Sequence, residues 1–437
     1  MAAILFSSLL VLFIVGVPVA FSMGFASVLA MTNGGISLQV VIQRVFSSLD
    51  SFPLMAIPFF ILAGNIMEHS GISQRLIQLA NSLVGRMTGG LGMVTVLTAM
   101  FFASISGSSA ATTAAIGSIL IPAMTKRSFP KPFSTSVQAV SGELGVIIPP
   151  SIPMIIFALS AGTAISIGDL FLAGVGPGLL ISVSLMLTIY FVSKKNGYGR
   201  KEMSAEEQAE EARLMSWSGR LHAFRQAILP LLMPVIILGG IYGGVFTPTE
   251  AAAVAVGYAL VLGMFVYRTL DYIKMMDILR GSVMSTAVIM LIIGNDGLLG
   301  WVLTAEKVPS LVAGWFVSIS DSPIVFLLLV NLLLLFIGMF LETGASIVIV
   351  APILTPVAMQ FGIDPIHFGI IIIVNLAVGM VTPPIGVNLF VACQIAGLRI
   401  EQIMKSMLPF YLVLLIDILL VTYLPQISLW LPALFKQ

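Results

Sequence analysis

Long apolar runs separated by short polar turns dominate the chain. Residues 170–192, 229–246, 251–267 and 408–431 are each close to continuous apolar stretches. Each approaches the roughly 20 residues that a helix needs to cross hydrocarbon. The runs do not alternate, which excludes the short dyad-period strands of an outer-membrane barrel. The pattern therefore predicts an all-α polytopic membrane protein.

Prolines and glycines break these runs in a repeating way. Pro149-Pro150 and Pro383-Pro384 are the only Pro-Pro pairs and lie 234 residues apart, each 27 residues after another proline, Pro122 or Pro356. The same shift of 234 places Gly145 on Gly379 and Ile119-Leu120 on Ile353-Leu354. Upstream, a shift of 230 places Pro18 on Pro248 and Gly64-Asn65 on Gly294-Asn295, the only Gly-Asn pairs. Collinear breakers in two halves are the mark of a transporter built from internal repeats. The repeats are read as 1–192 and 228–437, joined by a polar linker at 193–227. That linker carries Lys194, Lys195, Arg200, Lys201, Arg213, Arg220 and Arg225 around the acidic residues Glu202, Glu206, Glu207, Glu210 and Glu211. It reads either as a solvated helix joining the halves or as a docking loop.

Composition agrees with a membrane protein. The 437 residues are 58% hydrophobic and only 9% charged, and mean hydropathy is +1.10. The net charge of +1 names no partner and does not point to nucleic acid. A single cysteine, Cys393, excludes a disulfide framework and a thiolate cluster, and three scattered histidines argue against a transition-metal site. There is no Ser/His/Asp set, HExxH or phosphate-binding loop, so the chain is not read as an enzyme. The N-terminus lacks a basic n-region and reads as a retained membrane segment, with residues 1–17 as a first span.

With the linker in the cytoplasm, the chain can be traced through a membrane. Residues 87–126 form a hairpin opening from the cytoplasm, 131–165 a broken helix, 322–361 a hairpin opening from the periplasm and 366–398 a second broken helix. Of the 20 Lys and Arg, only Arg44, Lys307 and Lys436 then fall outside, as the positive-inside rule expects. Each half contains about five spans and one hairpin. An odd number inverts the second half and puts both termini in the periplasm.

Irregular backbone at membrane depth survives only where protein or a water-filled cavity surrounds it. The hairpin tips and the Gly-to-Pro-Pro breaks are therefore the expected site. Proline frees carbonyls that can ligate a hard cation, and the next helix start favours an anion. A break facing a tip suggests one Na⁺ site in each half, since oxygen-only ligation suits Na⁺. Candidate ligands are Ser106, Ser108, Gly145, Ile148 and Pro149 in the first half, and Phe340, Glu342, Gly379, Thr382 and Pro383 in the second. The Pro-Pro pairs also admit a plain reading as kinks that shape the bundle. Ser109, Thr112, Thr113, Asn295, Asp296 and Asn388 are candidates for substrate, though each polar type also serves in helix packing. Gly294-Asn295, just before Asp296, reads as a third discontinuity facing the cavity. Glu143 and Glu342 are further intramembrane acids, while Glu250 reads as the end of a capping box begun by Thr247.

Four motifs then resemble a known family. They are Gly-Glu-Leu-Gly-Val-Ile-Ile-Pro-Pro-Ser-Ile-Pro at 142–153, Ser-Ile-Ser-Gly-Ser-Ser-Ala-Ala-Thr at 104–112, Phe-Thr-Pro-Thr-Glu-Ala-Ala-Ala-Val-Ala-Val at 246–256 and Gly-Met-Val-Thr-Pro-Pro-Ile-Gly-Val-Asn-Leu-Phe at 379–390. Their order resembles the large membrane subunit of tripartite ATP-independent periplasmic (TRAP) transporters, over essentially the whole chain. That resemblance implies Na⁺-driven uptake of a small carboxylate across a bacterial inner membrane by an elevator mechanism. Sialic acid is the first expected substrate and a C4-dicarboxylate the second. It also implies two partners: a small four-helix membrane subunit, expected here as a separate chain, and a periplasmic substrate-binding protein. A stand-alone anion carrier needing no binding protein is the alternative. No cofactor is expected beyond Na⁺ as coupling ion.

Overall fold

A computed structural model describes residues 1–199 and 216–435. The linker residues Arg200, Lys201, Arg213 and the five glutamates lie outside the described residues, as does Lys436. Helices account for nearly all of the remainder. Among the described residues seven helices are long and apolar enough to cross a membrane, or nine if each bent pair counts as one span.

The chain opens with three short helices, α1 (Ala2–Ile14), α2 (Val19–Asn33) and α3 (Leu38–Leu49). The expected first span of residues 1–17 is therefore too long. Gly16 turns the chain in the left-handed region at φ 85°, and Pro18 caps the next helix. A 13-residue helix is about 20 Å long, short of the ~30 Å hydrocarbon core. A 3₁₀ turn (Phe52–Met55) leads into α4 (Ala56–His69), followed by α5 (Ile72–Val84).

The first hairpin is α6 (Gly90–Ser106) and α7 (Ser109–Lys126). Next come α8 (Lys131–Gly142), the single turn α9 (Leu144–Ile147), and α10 (Ile152–Ser160), with a 47° bend at the break between α9 and α10. Helix α11 (Ile167–Asn196) closes the first half. The second half begins with α12 (Trp217–Tyr242) and α13 (Pro248–Leu260), which winds into a π-helical turn (Val261–Val266). Thr247 and Glu250 form the expected capping box at the start of α13.

Helix α14 (Tyr272–Ala305) is continuous over 34 residues. The expected discontinuity at Gly294-Asn295 is absent, and packing explains the glycines there. A Cβ on Gly297 would lie 1.6 Å from Ser48 Oγ on α3, and one on Gly294 would lie 3.3 Å from Val45. Asn295 donates to the Ala20 carbonyl of α2 at 2.9 Å. These residues let α2 and α3 approach α14; they do not break it.

After α15 (Val308–Ile319) come α16 (Pro323–Gly338), α17 (Thr343–Gln360), α18 (Pro365–Gly379), α19 (Val387–Ala396), α20 (Ile400–Tyr423) and α21 (Gln426–Phe435). The apolar run at 408–431 is not one span, because Pro425 separates α20 from α21. Shifting α7 by 234 residues reproduces the bounds of α17, and α8 begins where the same shift predicts α18.

Burial divides the helices. All residues of α18 from Ile366 to Gly379 are buried, and so are those of α8 from Phe133 to Gly142. Helix α18 is apolar almost all round, as a helix inside a bundle should be; α8 buries Ser134, Thr135, Ser136, Gln138 and Ser141 as well, most of them bonded back to their own helix. By contrast only 22% of the most apolar stretch of α12 is buried, against 67% for α17, which leaves α12 on the outside of the bundle. The inner helices pack reciprocally. Helix α7 of the first hairpin lies against α19, and α17 of the second lies against α10. Helix α14 borders this core from the frame of α2, α3 and α4.

Candidate functional site

The first tip forms because α6 ends at Gly107 in the left-handed conformation, φ 62°, where glycine carries no Cβ penalty. Ser108 then caps α7, its hydroxyl accepting from the Ala111 amide. Close approach to the break requires the glycines. A Cβ on Gly107 would lie 3.1 Å from the Pro150 carbonyl oxygen, and one on Gly145 would lie 2.4 Å from that of Ser108. Tip and break are thus in direct contact.

Three oxygens cluster there. Ser106 Oγ lies 2.9 Å from Thr112 Oγ1 and 3.4 Å from the Ser108 carbonyl, and Thr112 donates to that carbonyl at 2.8 Å. Thr112, expected among substrate groups, therefore lies with Ser106 and the Ser108 carbonyl. Pro149 and Pro150 cannot donate to the carbonyls of Gly145 and Val146. Ser151 Oγ takes up the Val146 carbonyl at 2.6 Å, while Gly145 keeps a carbonyl with no donor four residues on. An oxygen-only set of hydroxyls and carbonyls fits a small hard cation.

The second tip is built differently. Glu342 caps α17, its Oε2 accepting from the amides of Gly344 and Ala345 at 2.8 and 3.2 Å. A carboxylate at a helix N-terminus is favoured by the helix dipole. At the second break Gly379 accepts from the Thr382 amide, Met380 from Asn388, and Val381 from the Tyr411 hydroxyl. The Thr382 hydroxyl returns to the Val378 carbonyl at 2.7 Å. Phe340 is exposed and lies against Phe336. Gly338 and Gly379 meet backbone to backbone; a Cβ on Gly379 would lie 2.6 Å from Gly338 Cα. The Gly386 amide ties the break to the tip by donating to the Met339 carbonyl at 3.2 Å. The second set therefore does not close into the oxygen cluster found at the first. Pro149-Pro150 and Pro383-Pro384 share a cis peptide bond.

Both tips and both breaks border one cavity of about 110 Å³. Gly107, Ser108 and Ser109 line it from the first tip, and Glu342, Gly344 and Ala345 from the second. Val146, Ile152, Pro153 and Ile156 come from the first break and α10, Met380 and Val387 from the second break and α19, and Ile289, Ile292 and Ile293 from α14. Met380 joins the halves: its sulfur accepts from Ser109 at 3.8 Å and from Thr343 at 2.7 Å. Sequence reasoning missed Met380, although it follows Gly379 directly. Thr113 and Asn388 are buried behind this wall. Thr113 bonds back to the Ser109 carbonyl, and both polar atoms of the Asn388 side chain lack a partner.

The same stripes of α10 and α14 continue into a larger cavity of about 610 Å³. Here Ser160 faces Asp296, Gly300 and Thr304, with Arg44 and Lys307 at the rim. Arg44 stands over the Trp301 ring at 6.0 Å. Asp296 is half-buried, and its Oδ1 has no hydrogen-bond partner. Asp296 is thus one chamber away from the tips, and Asn295 faces α2. Arg44 and Lys307 were visible in the sequence as two of the few cations on the outer side, but not as neighbours. Glu143 is fully buried between α8 and α9, with no hydrogen-bond partner among the described residues for either carboxylate oxygen.

Comparisons with known proteins agree with this architecture. The chain matches the model for the tripartite ATP-independent periplasmic transporter, DctM component, over residues 6–427. It is 43% identical to the isethionate TRAP transporter permease protein DctMQ of Oleidesulfovibrio alaskensis, over 98% of this chain and 66% of that protein. It therefore spans just under two thirds of that relative. It is 40% identical to the C4-dicarboxylate TRAP transporter large permease protein DctM of Rhodobacter capsulatus, over 99% of both chains. Identity to the sialic acid TRAP transporter large permease protein SiaM of Vibrio cholerae is also 40%, over 96% of both. The solved YdaH transporter of Alcanivorax borkumensis shares the fold at a TM-score of 0.61 and 18% identity, over 88% of both chains. The chain belongs to the DctM family, the large membrane permeases of TRAP transporters.

Proposed function

We propose that this chain is the permease of a Na⁺-coupled importer for a small organic anion in a bacterial inner membrane. The observation that carries this reading is the convergence of two hairpin tips and two proline-broken helices on one cavity bounded by α14. The first turns of α7 and α17 begin at that cavity; the N-terminus of α7 favours an anion, whereas the Glu342 carboxylate already caps that of α17. Na⁺ would be held by Ser106, Ser108, Thr112 and the Gly145 carbonyl, with Ile148 and Pro149 adjacent. A second Na⁺ would lie near Gly379, Thr382, Pro383, Phe340 and Glu342.

The larger cavity serves as the outer chamber. Arg44 and Lys307 attract the anion there, and Asp296 and Ser160 stand on the way to the tips. The inner cavity is small beside the ~300 Å³ or more of ordinary ligand pockets, which fits a closed arrangement. The two repeats are inverted, a reading supported by the reciprocal packing of α7 on α19 and α17 on α10. The inner helices then slide as an elevator past α14 and its frame, with linker 193–227 in the cytoplasm and both termini in the periplasm. The substrate carries a carboxylate or a sulfonate: relatives named for isethionate, C4-dicarboxylate and sialic acid are similar to this chain to nearly the same degree. A small four-helix membrane subunit and a periplasmic binding protein complete the system.

Uptake into proteoliposomes containing both membrane subunits tests the whole reading. Each of the three acids is supplied on its binding protein under an imposed Na⁺ gradient. Uptake of one acid, lost without Na⁺ or without the binding protein, is expected. Undiminished uptake without the binding protein would instead identify a stand-alone anion carrier.

A further inference from the structure

A third cavity lies away from the hairpins, at the basic end of the frame. It measures about 520 Å³ and sits between α5, α12 and the residues that follow the π-helical turn. Gln74, Arg75 and Gln78 line it from α5, Arg225 and Gln226 from α12, and Tyr267 from beyond the turn. We propose that this cavity binds the phosphate headgroup of an anionic phospholipid.

Arg75 is held in place. Its guanidinium carbon stands 3.7 Å from the centre of the Tyr267 ring, and Nη1 donates to the Gly71 carbonyl at 3.0 Å. A guanidinium stacked in this way keeps further N–H groups for a planar or tetrahedral oxyanion. Arg225 is exposed across the cavity from it. Among the described residues no carboxylate lies within ion-pair distance of either arginine. Two uncompensated guanidiniums beside three amide side chains make a phosphate-oxygen site.

The rim favours a lipid over a soluble phosphate. Phe265, 70% exposed, and Val266 and Phe224 project from the same turn and helix onto the outer surface of the bundle. Acyl chains cover such side chains while the headgroup reaches the arginines. Arg268 and Lys274 follow at the same end, where basic residues meet anionic headgroups.

Native mass spectrometry of the full chain, purified in the presence of phosphatidylglycerol, reads the site directly. Each guanidinium near an anionic headgroup is worth about fivefold in affinity, so Arg225→Gln should retain about fivefold less phosphatidylglycerol and the pair with Arg75→Gln about thirtyfold less. Arg225→Gln alone decides if the double variant fails to fold, because that side chain is exposed. Arg280→Gln, at an exposed ion pair with Asp277, should retain as much as the parent. Equal retention in parent and Arg225→Gln overturns the proposal, as does an equal loss in Arg280→Gln. Thermal protection by inorganic phosphate equal to that by phosphatidylglycerol, and lost in Arg225→Gln, overturns the lipid as the source. Exclusion of phosphatidylglycerol once the small subunit is bound also overturns it.

Discussion

Gly145 leaves no room for a side chain, because the Ser108 carbonyl and Thr112 Oγ1 occupy the space that a Cβ would need. Gly145→Ala should therefore push the first break away from its tip. Overpacking of this kind costs roughly 1–3 kcal/mol, and Na⁺-dependent uptake should fall at least tenfold. Gly257→Ala, which meets nothing within 4 Å, is the matched control and should transport normally. Replacing Ser106 and Ser108 by alanine should raise the Na⁺ concentration for half-maximal uptake more than it raises the substrate KM. An equal rise in both would place these hydroxyls outside the cation site. Remote from the chemistry, Thr247→Ala removes one half of the capping box on α13 and should lower stability by about 1 kcal/mol. Thermal unfolding in detergent checks that value.

At the scale of elements, the breaks work through what proline withholds. Pro149 and Pro150 deprive two carbonyls of their donors, and only one of these is satisfied, by Ser151. Pro149→Ala together with Pro150→Ala restores both amides and lets α9 run on into α10. The protein should still insert, but coupled uptake should disappear; unchanged Na⁺ dependence would refute the site. Much of this was legible in the chain. The Pro-Pro pairs, the glycines before them and Ser104 to Ser109 are local signals with local causes. Gly294-Asn295 misled for an equally local reason. A Gly-Asn pair looks like a breaker in sequence, but whether it breaks a helix or lets another helix approach depends on the neighbour. Here the neighbours are Ser48 and Ala20, nearly 250 residues or more away.

Across the whole molecule, the cavity between the hairpins and α14 is the plane along which an elevator would slide. A reducible bis-thiol cross-linker should join cysteines introduced at Ile156 and Ile293, which both line that cavity. Uptake should then stop and recover on reduction; full uptake by the cross-linked protein would exclude relative sliding there. The native Cys393 is buried and does not compete. A reporter enzyme fused at the C-terminus tests the traced orientation, and activity in the periplasm is the expected result.

The chain by itself determined its all-helical membrane class and the matched spacing of its proline and glycine breakers. Apolar run length, proline and glycine act within a few residues and need no partner to be read. Tertiary structure alone decided which groups meet. Thr112 joined the oxygens of Ser106 and Ser108 because the first turn of α7 folds back over Ser108, and Met380 became the contact between the halves because both tips reach it. Arg44, Lys307 and Asp296 share a chamber although they come from α3, the α14–α15 turn and α14. Such groupings arise from helices packing across hundreds of residues, a relation that spacing along one chain does not encode.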